Sequence, residues 1–141
     1  MTNEEYLNQA YCLERKISSD IEEVNHLREI ADRISSPGFT EKVQSSGTGE
    51  APFTRGVEKI MLLEEKIGEE IDTLAELKEQ IYCAIARVKD IDEQMVLRYR
   101  YINGLSWDRI CEKLGVGKST VWRRHKAGVD HIVLPDNIIK I

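Results

Sequence analysis

Apolar residues recur every seven positions along the first part of the chain. Over residues 4–34 they form two columns that lie three positions apart. A seven-residue period with two apolar columns is typical of a helix that packs along another helix. Asp20 interrupts the second column, so we expect the apolar seam to be shifted there or to face solvent. The columns are Ala10, Ile17, Val24 and Ala31, and Leu13, Leu27 and Ile34.

Small, polar and helix-breaking residues follow this segment. The run Ser35-Ser36-Pro37-Gly38 is expected to stop the helix, and residues 44–52 are rich in Ser and Gly. Such a composition buries too little apolar surface to offset the entropy of ordering. We therefore predict a flexible linker at about residues 35–53.

The helical period returns over residues 54–89. This pattern predicts a second long helix. Its seven-spaced column is Ile60, Ile67, Leu74, Ile81 and Val88, and its apolar flanks are Leu63, Ile71, Leu77 and Ile85. Two long helices joined by a linker form either an antiparallel hairpin within one chain or a coiled coil between chains. The apolar columns either pack the two helices against each other only, or bind another subunit as well. A homo-oligomer is therefore an expected state.

Two short helices with a glycine turn between them are predicted further along. Ser106 is placed to cap the helix Trp107–Leu114, and the period resumes over residues 118–128. Gly115 allows the backbone reversal between them. This arrangement is the helix-turn-helix pattern, with inward-facing apolar residues at Ile110, Leu114, Val116 and Val121.

A further helix is predicted to precede this pair. Asp90 and Glu93 have the spacing of a helix-starting capping box, residues 94–102 continue the period, and Gly104 suits a left-handed C-terminal cap. The apolar tail of residues 129–141 needs cover. We expect it to pack back on the helix-turn-helix, with the hairpin, a second subunit or a polymerase as the alternative partner.

The second helix of the pair carries the candidate DNA-reading surface. With Val121 at the buried centre, a step of about 100° per residue points Arg123 almost straight outward. Arg reads guanine edges in the major groove, and hydroxyls and other cations bind bases or phosphates. Predicted base contacts are Ser119, Thr120, Arg123 and Lys126. Predicted phosphate contacts are Ser106, Arg109, Lys113, Lys118 and Arg124. Trp107 and Trp122 are expected to be core or domain-edge aromatic residues, and His125 is expected to be packed or half-exposed.

Charge divides the chain of 141 residues in two. Residues 1–90 carry 11 basic and 19 acidic side chains, whereas residues 91–141 carry 9 basic and 6 acidic ones. We therefore predict an acidic helical assembly region at residues 1–90 and a DNA-binding domain at residues 91–141. The local field of the second part, and not the overall charge of −5, governs contact with nucleic acid.

Several function classes find no support in the residues. No apolar run has the length of a membrane helix, and the first residues do not form a secretion signal, so a cytoplasmic location is expected. Cys12, Cys83 and Cys111 are expected to be reduced, buried thiols. No metal-ligand spacing and no catalytic pair appears, and Glu112 stands where a phosphate-binding loop ending at Gly117 needs glycine. We expect no enzyme activity, no metal and no cofactor.

Residues 95–123, MVLRYRYINGLSWDRICEKLGVGKSTVWR, resemble the helix-turn-helix of sigma-70 region 4. With its helical leader the chain is similar to phage-encoded late-gene transcription regulators of Gram-positive bacteria and their prophages. The resemblance covers residues 90–128 and extends to the leader only in outline. It implies binding to double-stranded DNA in transcription control, with RNA polymerase as a further partner. Gly117 and Arg124 depart from the pattern, where Ser or Thr and an apolar residue are common.

The sequence therefore predicts an all-α protein in which a long N-terminal hairpin or coiled coil precedes a sigma region 4-like domain. The expected function is sequence-specific DNA binding in phage or prophage transcription regulation. Two alternatives remain: a small terminase subunit for DNA packaging, and a polymerase-binding interaction module that does not read DNA.

Overall fold

The protein is all-α in the part that the structure describes. The computed structural model describes the backbone of residues 1–34 and 50–141 and the side chains of residues 1–33 and 54–141. These ranges contain no strand, which confirms the predicted fold class. The helices are α1 (Asn3–Ile34), α2 (Glu50–Ala86), α3 (Ile91–Leu97), α4 (Trp107–Leu114) and α5 (Lys118–His131), and a π-helical turn, Arg98–Ile102, continues α3. None of these helices is long and apolar enough to cross a membrane.

Local sequence signals set the ends of the short helices. The Asp90 side chain accepts hydrogen bonds from the backbone N–H groups of Asp92 and Glu93, at 2.9 and 3.1 Å, and caps α3. Ser106 accepts a hydrogen bond from the Arg109 N–H and caps α4. Gly104 has a left-handed φ of 66°, as expected of a residue that ends a helix.

The predicted linker lies mostly outside the described residues. At its far end, α2 begins at Glu50, four positions before the predicted start at Thr54. Pro52 was a reason to place residues 50–53 in the linker, yet the first turn of a helix tolerates proline because its N–H groups have no intrahelical partner.

The chain divides into two compact units that differ from the predicted domains. The hairpin unit is Arg15–Asp72, and the helix-turn-helix unit combines Met1–Glu14 with Thr73–Ile141. The predicted boundary near residue 90 therefore does not separate the units. The first turns of α1 and the last turns of α2 belong with α3, α4 and α5, because they share one apolar core with the tail.

Within the hairpin unit, α1 and α2 pack side by side and run antiparallel. Lys16 forms an ion pair with Glu70 at 2.6 Å, and Arg28 forms one with Glu64, so residue numbers rise along one helix as they fall along the other. Among the described residues of this unit, the buried side chains are Ile17, Val24, Ile60 and Ile67. All four belong to the predicted seven-spaced columns. The predicted interruption, Asp20, is half-buried and binds Lys16 at 3.3 Å.

The core of the helix-turn-helix unit joins residues that are far apart in the chain. Tyr6 and Leu7 of α1, Leu77 and Ile81 of α2, and Leu97 of α3 are fully buried in one cluster. Ile132 of the tail is a buried member of this cluster, and Leu134, Ile138 and Ile139 pack against it.

Hydrogen bonds from two glutamines fix the tail on α1 and α2. Gln9 donates to the Ile139 carbonyl at 2.8 Å and accepts from the Ile141 N–H at 3.1 Å. Gln80 donates to the Asn137 carbonyl at 2.7 Å and accepts from the Ile139 N–H at 3.2 Å. The tail was expected to pack on the helix-turn-helix, with the hairpin as an alternative. It shares a core with Leu97 of α3 and is also bound to the ends of both long helices.

The cysteines were expected to be buried, and this expectation is also wrong. All three are free thiols; Cys12 and Cys83 are exposed and Cys111 is half-buried. Cys83 lies between the buried residues Ile81 and Ile85 in the chain, but a helix turns about 200° over two residues, so it faces the opposite side.

Candidate nucleic-acid interface

A small apolar core holds α4 against α5. Val96, Ile110 and Val121 are its buried members. The packing predicted for Ile110, Leu114, Val116 and Val121 is confirmed. Half-buried side chains surround the buried three: Tyr99, Leu105, Trp107, Cys111, Leu114 and Val116.

The turn between the two helices leaves the start of α5 open. Gly115 has a φ of 66°, which other residues adopt at a cost, and its N–H donates to the Cys111 carbonyl at 2.9 Å. Gly117, the residue before α5, provides no side chain to cap the helix. Among the described residues, no side chain accepts a hydrogen bond from the first N–H groups of α5, at Lys118 and Ser119. Free amides at a helix start are suited to bind a phosphate.

Helix α5 has a buried face and an outward face. Val121, His125, Gly128 and Val129 are buried. Arg123 lies about 200° around the helix from Val121 and is exposed, as predicted. The other predicted base contacts lie on either side of it: Ser119 and Lys126 are exposed, and Thr120 is half-buried. All four share one surface.

Arg123 and Lys126 have no acidic partner within the ranges that the structure describes. Helix α5 carries four Lys and Arg side chains and one Asp. A cation without a neighbouring carboxylate is free to bind a base edge or a phosphate, and it needs no exchange of partners to do so.

The predicted phosphate contacts surround this surface, and two of them form surface ion pairs. Lys118 Nζ lies 3.2 Å from an Asp108 oxygen, and Arg109 lies 3.6 Å from Glu112. All four side chains are well exposed, so each pair stabilises the fold little and can be replaced by a phosphate contact. Lys113 is exposed at the end of α4.

Ser106 and Arg124 already serve the fold. The Ser106 hydroxyl oxygen accepts the Arg109 N–H at 3.3 Å, which leaves its own proton to donate. Arg124 is only 24% exposed and forms an ion pair with Asp92 of α3 at 3.7 Å. Its guanidinium is directed toward α3 and away from the outward face, so of the predicted phosphate contacts Arg124 is the least available.

His125 connects α5 to the π-helical turn. The Tyr101 hydroxyl and His125 Nε2 share a buried hydrogen bond of 2.7 Å, and the Trp107 ring meets the imidazole edge-on at 4.8 Å. Arg100 lies over the Trp107 ring at 4.4 Å. The expectations for His125 and Trp107 are confirmed. The roles of Tyr101 and Arg100 were not found from the sequence, since no local signal marks a contact across 24 positions.

Burial sets the protonation of this pair. Burial lowers the pKa of His125 below its usual value of 6.5, and the charge of Arg100 lowers it further, against an opposing effect of Glu4. Burial also raises the pKa of Tyr101 to about 12. At neutral pH the imidazole is therefore neutral and the phenol keeps its proton.

This protonation predicts a pH-dependent stability. The unfolded chain binds a proton at His125 near pH 6.5, and the folded chain binds it only at lower pH. The free energy of unfolding should therefore fall as the pH drops below 6.5. Comparing wild type with His125→Phe between pH 7.5 and 5.5 isolates this contribution, and the variant should lose less stability. An equal pH dependence of the free energy of unfolding in both proteins would contradict the lowered pKa of His125.

Trp122 was expected to be a core or domain-edge residue, and it lies at the edge. Its side chain is 62% exposed because it lies about 100° from Val121, at the edge of the buried face. With Trp107, Cys111, Lys118 and Val121 it lines an open apolar cavity of about 310 Å³ between α4 and α5.

Gly128 marks a close approach between α3 and α5, which was not predicted from the sequence. A Cβ atom at this position would lie 3.0 Å from Leu97 Cδ1 and 3.3 Å from Glu93 Cβ. Glu93 is buried, and its carboxylate lies within hydrogen-bond distance of His131 Nδ1, at 2.7 Å. These contacts set the orientation of α5 relative to α3.

Two glycine substitutions test this packing. We expect Gly128→Ala to lower the free energy of unfolding by about 1–3 kcal/mol, because the added methyl group overlaps the fully buried Leu97. Gly68→Ala is the matched control, since a Cβ there meets nothing within 4 Å. It should raise the free energy of unfolding by about 0.5–1 kcal/mol. Urea titration measures the free energy of unfolding of both variants. An equal rise for the two would rule out the close approach at Gly128.

Comparison of the chain with known protein families finds a match. The family described as "Protein of unknown function (DUF1492)" matches residues 33–132. The chain belongs to the DUF1492 family. The matched range contains α2 to α5 and every predicted DNA contact, whereas most of α1 and the last residues of the tail lie outside it. No curated protein and no solved structure matches the chain.

Within the ranges that the structure describes, no three His, Cys, Asp or Glu side chains are grouped so that they could hold a metal ion. The surface of this DUF1492 protein that stands out chemically is the basic outward face of α5, and its side chains are suited to bind an anionic polymer.

Proposed function

We propose that this DUF1492 protein is a sequence-specific DNA-binding transcription regulator of the phage or prophage type. In the proposed complex, α5 lies in the major groove of double-stranded DNA and α4 crosses the backbone. The observation that carries the proposal is the outward face of α5, where Arg123 is exposed and has no acidic partner among the described residues. A cytoplasmic location is part of the proposal.

Each side chain has a role that follows from its position. Arg123 would read a guanine edge with its two parallel N–H donors, with Ser119, Thr120 and Lys126 beside it. Lys118, Arg109 and Lys113 would bind phosphates, together with the free amides at the start of α5. In this proposal the chain has no catalytic role, no metal and no cofactor.

The resemblance to sigma-70 region 4 supports the regulatory part of the proposal. It is carried by residues 95–123, and α3, α4, α5 and their glycine turn have the helix lengths and order of a helix-turn-helix. Contact with RNA polymerase and assembly into a homo-oligomer complete the proposal, and both remain open to direct measurement.

Selection from a random pool of double-stranded DNA tests this function. We expect fragments retained by the full chain to share a common sequence, and we expect Arg123→Ala to weaken that enrichment. Lack of any enrichment, with no retention at low salt, would overturn the proposal. The mass of the protein in solution separates the packaging alternative, because a terminase ring has about eight or more subunits and a regulator has about one, two or four.

A further inference from the structure

Trp122 is an exposed residue of α5 that the proposed DNA contacts do not include. Its side chain is 62% exposed, whereas the other large apolar side chains of the helix, Val121 and Val129, are buried. A single apolar residue on a surface needs no explanation by its exposure alone. What distinguishes Trp122 is its position among the residues proposed to contact DNA.

Trp122 lies between two of the proposed base contacts along α5. It follows Ser119 by three positions and precedes Lys126 by four, and residues with these spacings are neighbours on one side of a helix. Ser119 and Lys126 are both exposed. Asp130 continues this line one turn further on, whereas a recognition helix contacts bases with its N-terminal residues. The indole is much larger than the Ser119 side chain, so a groove close enough for Ser119 to reach a base also contacts the indole.

The surrounding side chains hold the indole in place. The His125 ring lies beside it, with the ring centroids 6.0 Å apart, and His125 is itself fixed by its buried hydrogen bond to Tyr101. Trp122 also lines the open cavity between α4 and α5 with Trp107 and Cys111, so it lies on the side of α5 nearest α4. A tryptophan has two side-chain torsions, so it loses little conformational entropy when it makes a contact.

The major groove offers one kind of apolar group to such a ring. The base edges present hydrogen-bond donors and acceptors, and thymine adds the methyl group on C5. An indole ring packed against donors or acceptors would leave them without partners, which costs free energy. We propose that Trp122 recognises thymine through this methyl group, in the same DNA site in which Arg123 reads guanine. This inference rests on the proposed function and adds a second base to the recognised sequence.

Two other DNA contacts of an exposed tryptophan are less suited to this position. Side chains that wedge between base pairs act mainly from the minor groove, whereas α5 is proposed to lie in the major groove. The indole N–H is a donor for a phosphate oxygen. However, Lys118 lines the same cavity, and its charge makes it the stronger phosphate ligand.

The position of the thymine follows from the helix. Trp122 and Arg123 are adjacent, with Cα atoms about 3.8 Å apart, and successive bases of one strand are about 3.4 Å apart along the DNA axis. The two side chains diverge by about 100° around α5. We therefore expect the thymine to lie within about two base pairs of the guanine whose enrichment depends on Arg123.

Removal of single methyl groups from the DNA tests the inference. The probe is the fragment that the full chain enriches most from the random double-stranded pool. In its copies each thymine in turn is replaced by deoxyuridine, which lacks the methyl group and pairs in the same way. We expect a replacement near the guanine to weaken binding of the full chain about three- to fivefold at fixed salt, as the burial of one methyl group implies.

Three variants assign the effect to Trp122. Trp122→Ala should bind the thymine and deoxyuridine fragments equally well. Trp122→Phe should keep a preference for thymine of at least about twofold, since a phenyl ring also packs on the methyl group. Val133→Ala is the matched control and should keep the full preference, because Val133 is an apolar residue of the tail that is 65% exposed. Both positions are on the surface, and circular dichroism checks that the variants fold.

The outcomes separate this inference from the proposed function. Sequence-specific binding that no deoxyuridine replacement weakens, or an enriched sequence without thymine near the guanine, would overturn the inference and leave the function standing. A thymine preference that persists in Trp122→Ala would overturn it too, because another side chain would then contact the methyl group. So would a preference that Trp122→Phe loses, because the indole N–H would then make the contact. If the full chain binds no DNA at low salt, the inference and the proposed function are both wrong.

Discussion

Replacement of Leu77 by alanine is expected to lower the free energy of unfolding by about 2–5 kcal/mol. Leu77 has 0% of its side chain exposed and lies where α1, α2 and the tail meet. Its removal leaves a cavity among Tyr6, Leu7 and Ile81, which are themselves fully buried and have little room to close it.

Urea titration of the full chain measures this effect, and Leu62→Ala is its control on the same helix. Leu62 is 67% exposed, so its truncation should change the free energy of unfolding by less than about 0.5 kcal/mol. If the two variants lose comparable free energy of unfolding, Leu77 does not pack against α1 and the tail as described.

Leu77 also shows how far periodicity alone can predict a core. The apolar pattern predicted α2, with Leu74 in its seven-spaced column and Leu77 on a flank. In the structure Leu74 is half-buried and Leu77 is fully buried. The period defines a side of the helix, but the depth of each residue depends on what packs there, in this case α1 and the tail.

Replacement of Arg123 by alanine is expected to lower the preference for a selected DNA site over random DNA by about 1–3 kcal/mol. The guanidinium lies on the outward face of α5 and is held by no carboxylate among the described residues, so a base edge would be its main partner. Val121 and His125 anchor the opposite face in the core, so the truncation should leave the fold intact.

Lys118→Ala is the matched comparison for Arg123→Ala, because both remove one exposed cation from α5. Lys118 lies at the start of the helix, beside Asp108, where it would neutralise a phosphate. Its loss should weaken binding to selected and random DNA alike and lower the salt slope by about one unit. If Arg123→Ala also weakens both DNAs equally, α5 binds the backbone without reading the sequence.

The ends of the short helices were predictable because they depend on neighbouring residues. Asp90 and Ser106 cap the helices that follow them, and Gly115 has the left-handed backbone that the turn requires. Each signal acts over three or four positions. A local pattern is therefore enough to place α3, α4 and the direction of Arg123 on α5.

Contacts between distant parts of the chain were not predictable in the same way. Gln9 and Gln80 bind backbone groups of the tail at separations of 130 and 57 positions, and no local pattern marks either glutamine as a partner. The same holds for the exposed fraction of Trp122, because it depends on how α4 packs against α5 and no local pattern specifies that packing.

The salt dependence of binding to a selected DNA site tests the central claim most directly. Arg109, Lys113, Lys118 and the less available Arg124 are the cationic phosphate contacts proposed. The logarithm of the association constant should therefore fall with the logarithm of the salt concentration at a slope of about −3 to −4 per bound chain. If the full chain shows no measurable binding to any DNA at low salt, the DNA-binding account is wrong and a polymerase-binding module becomes the better interpretation.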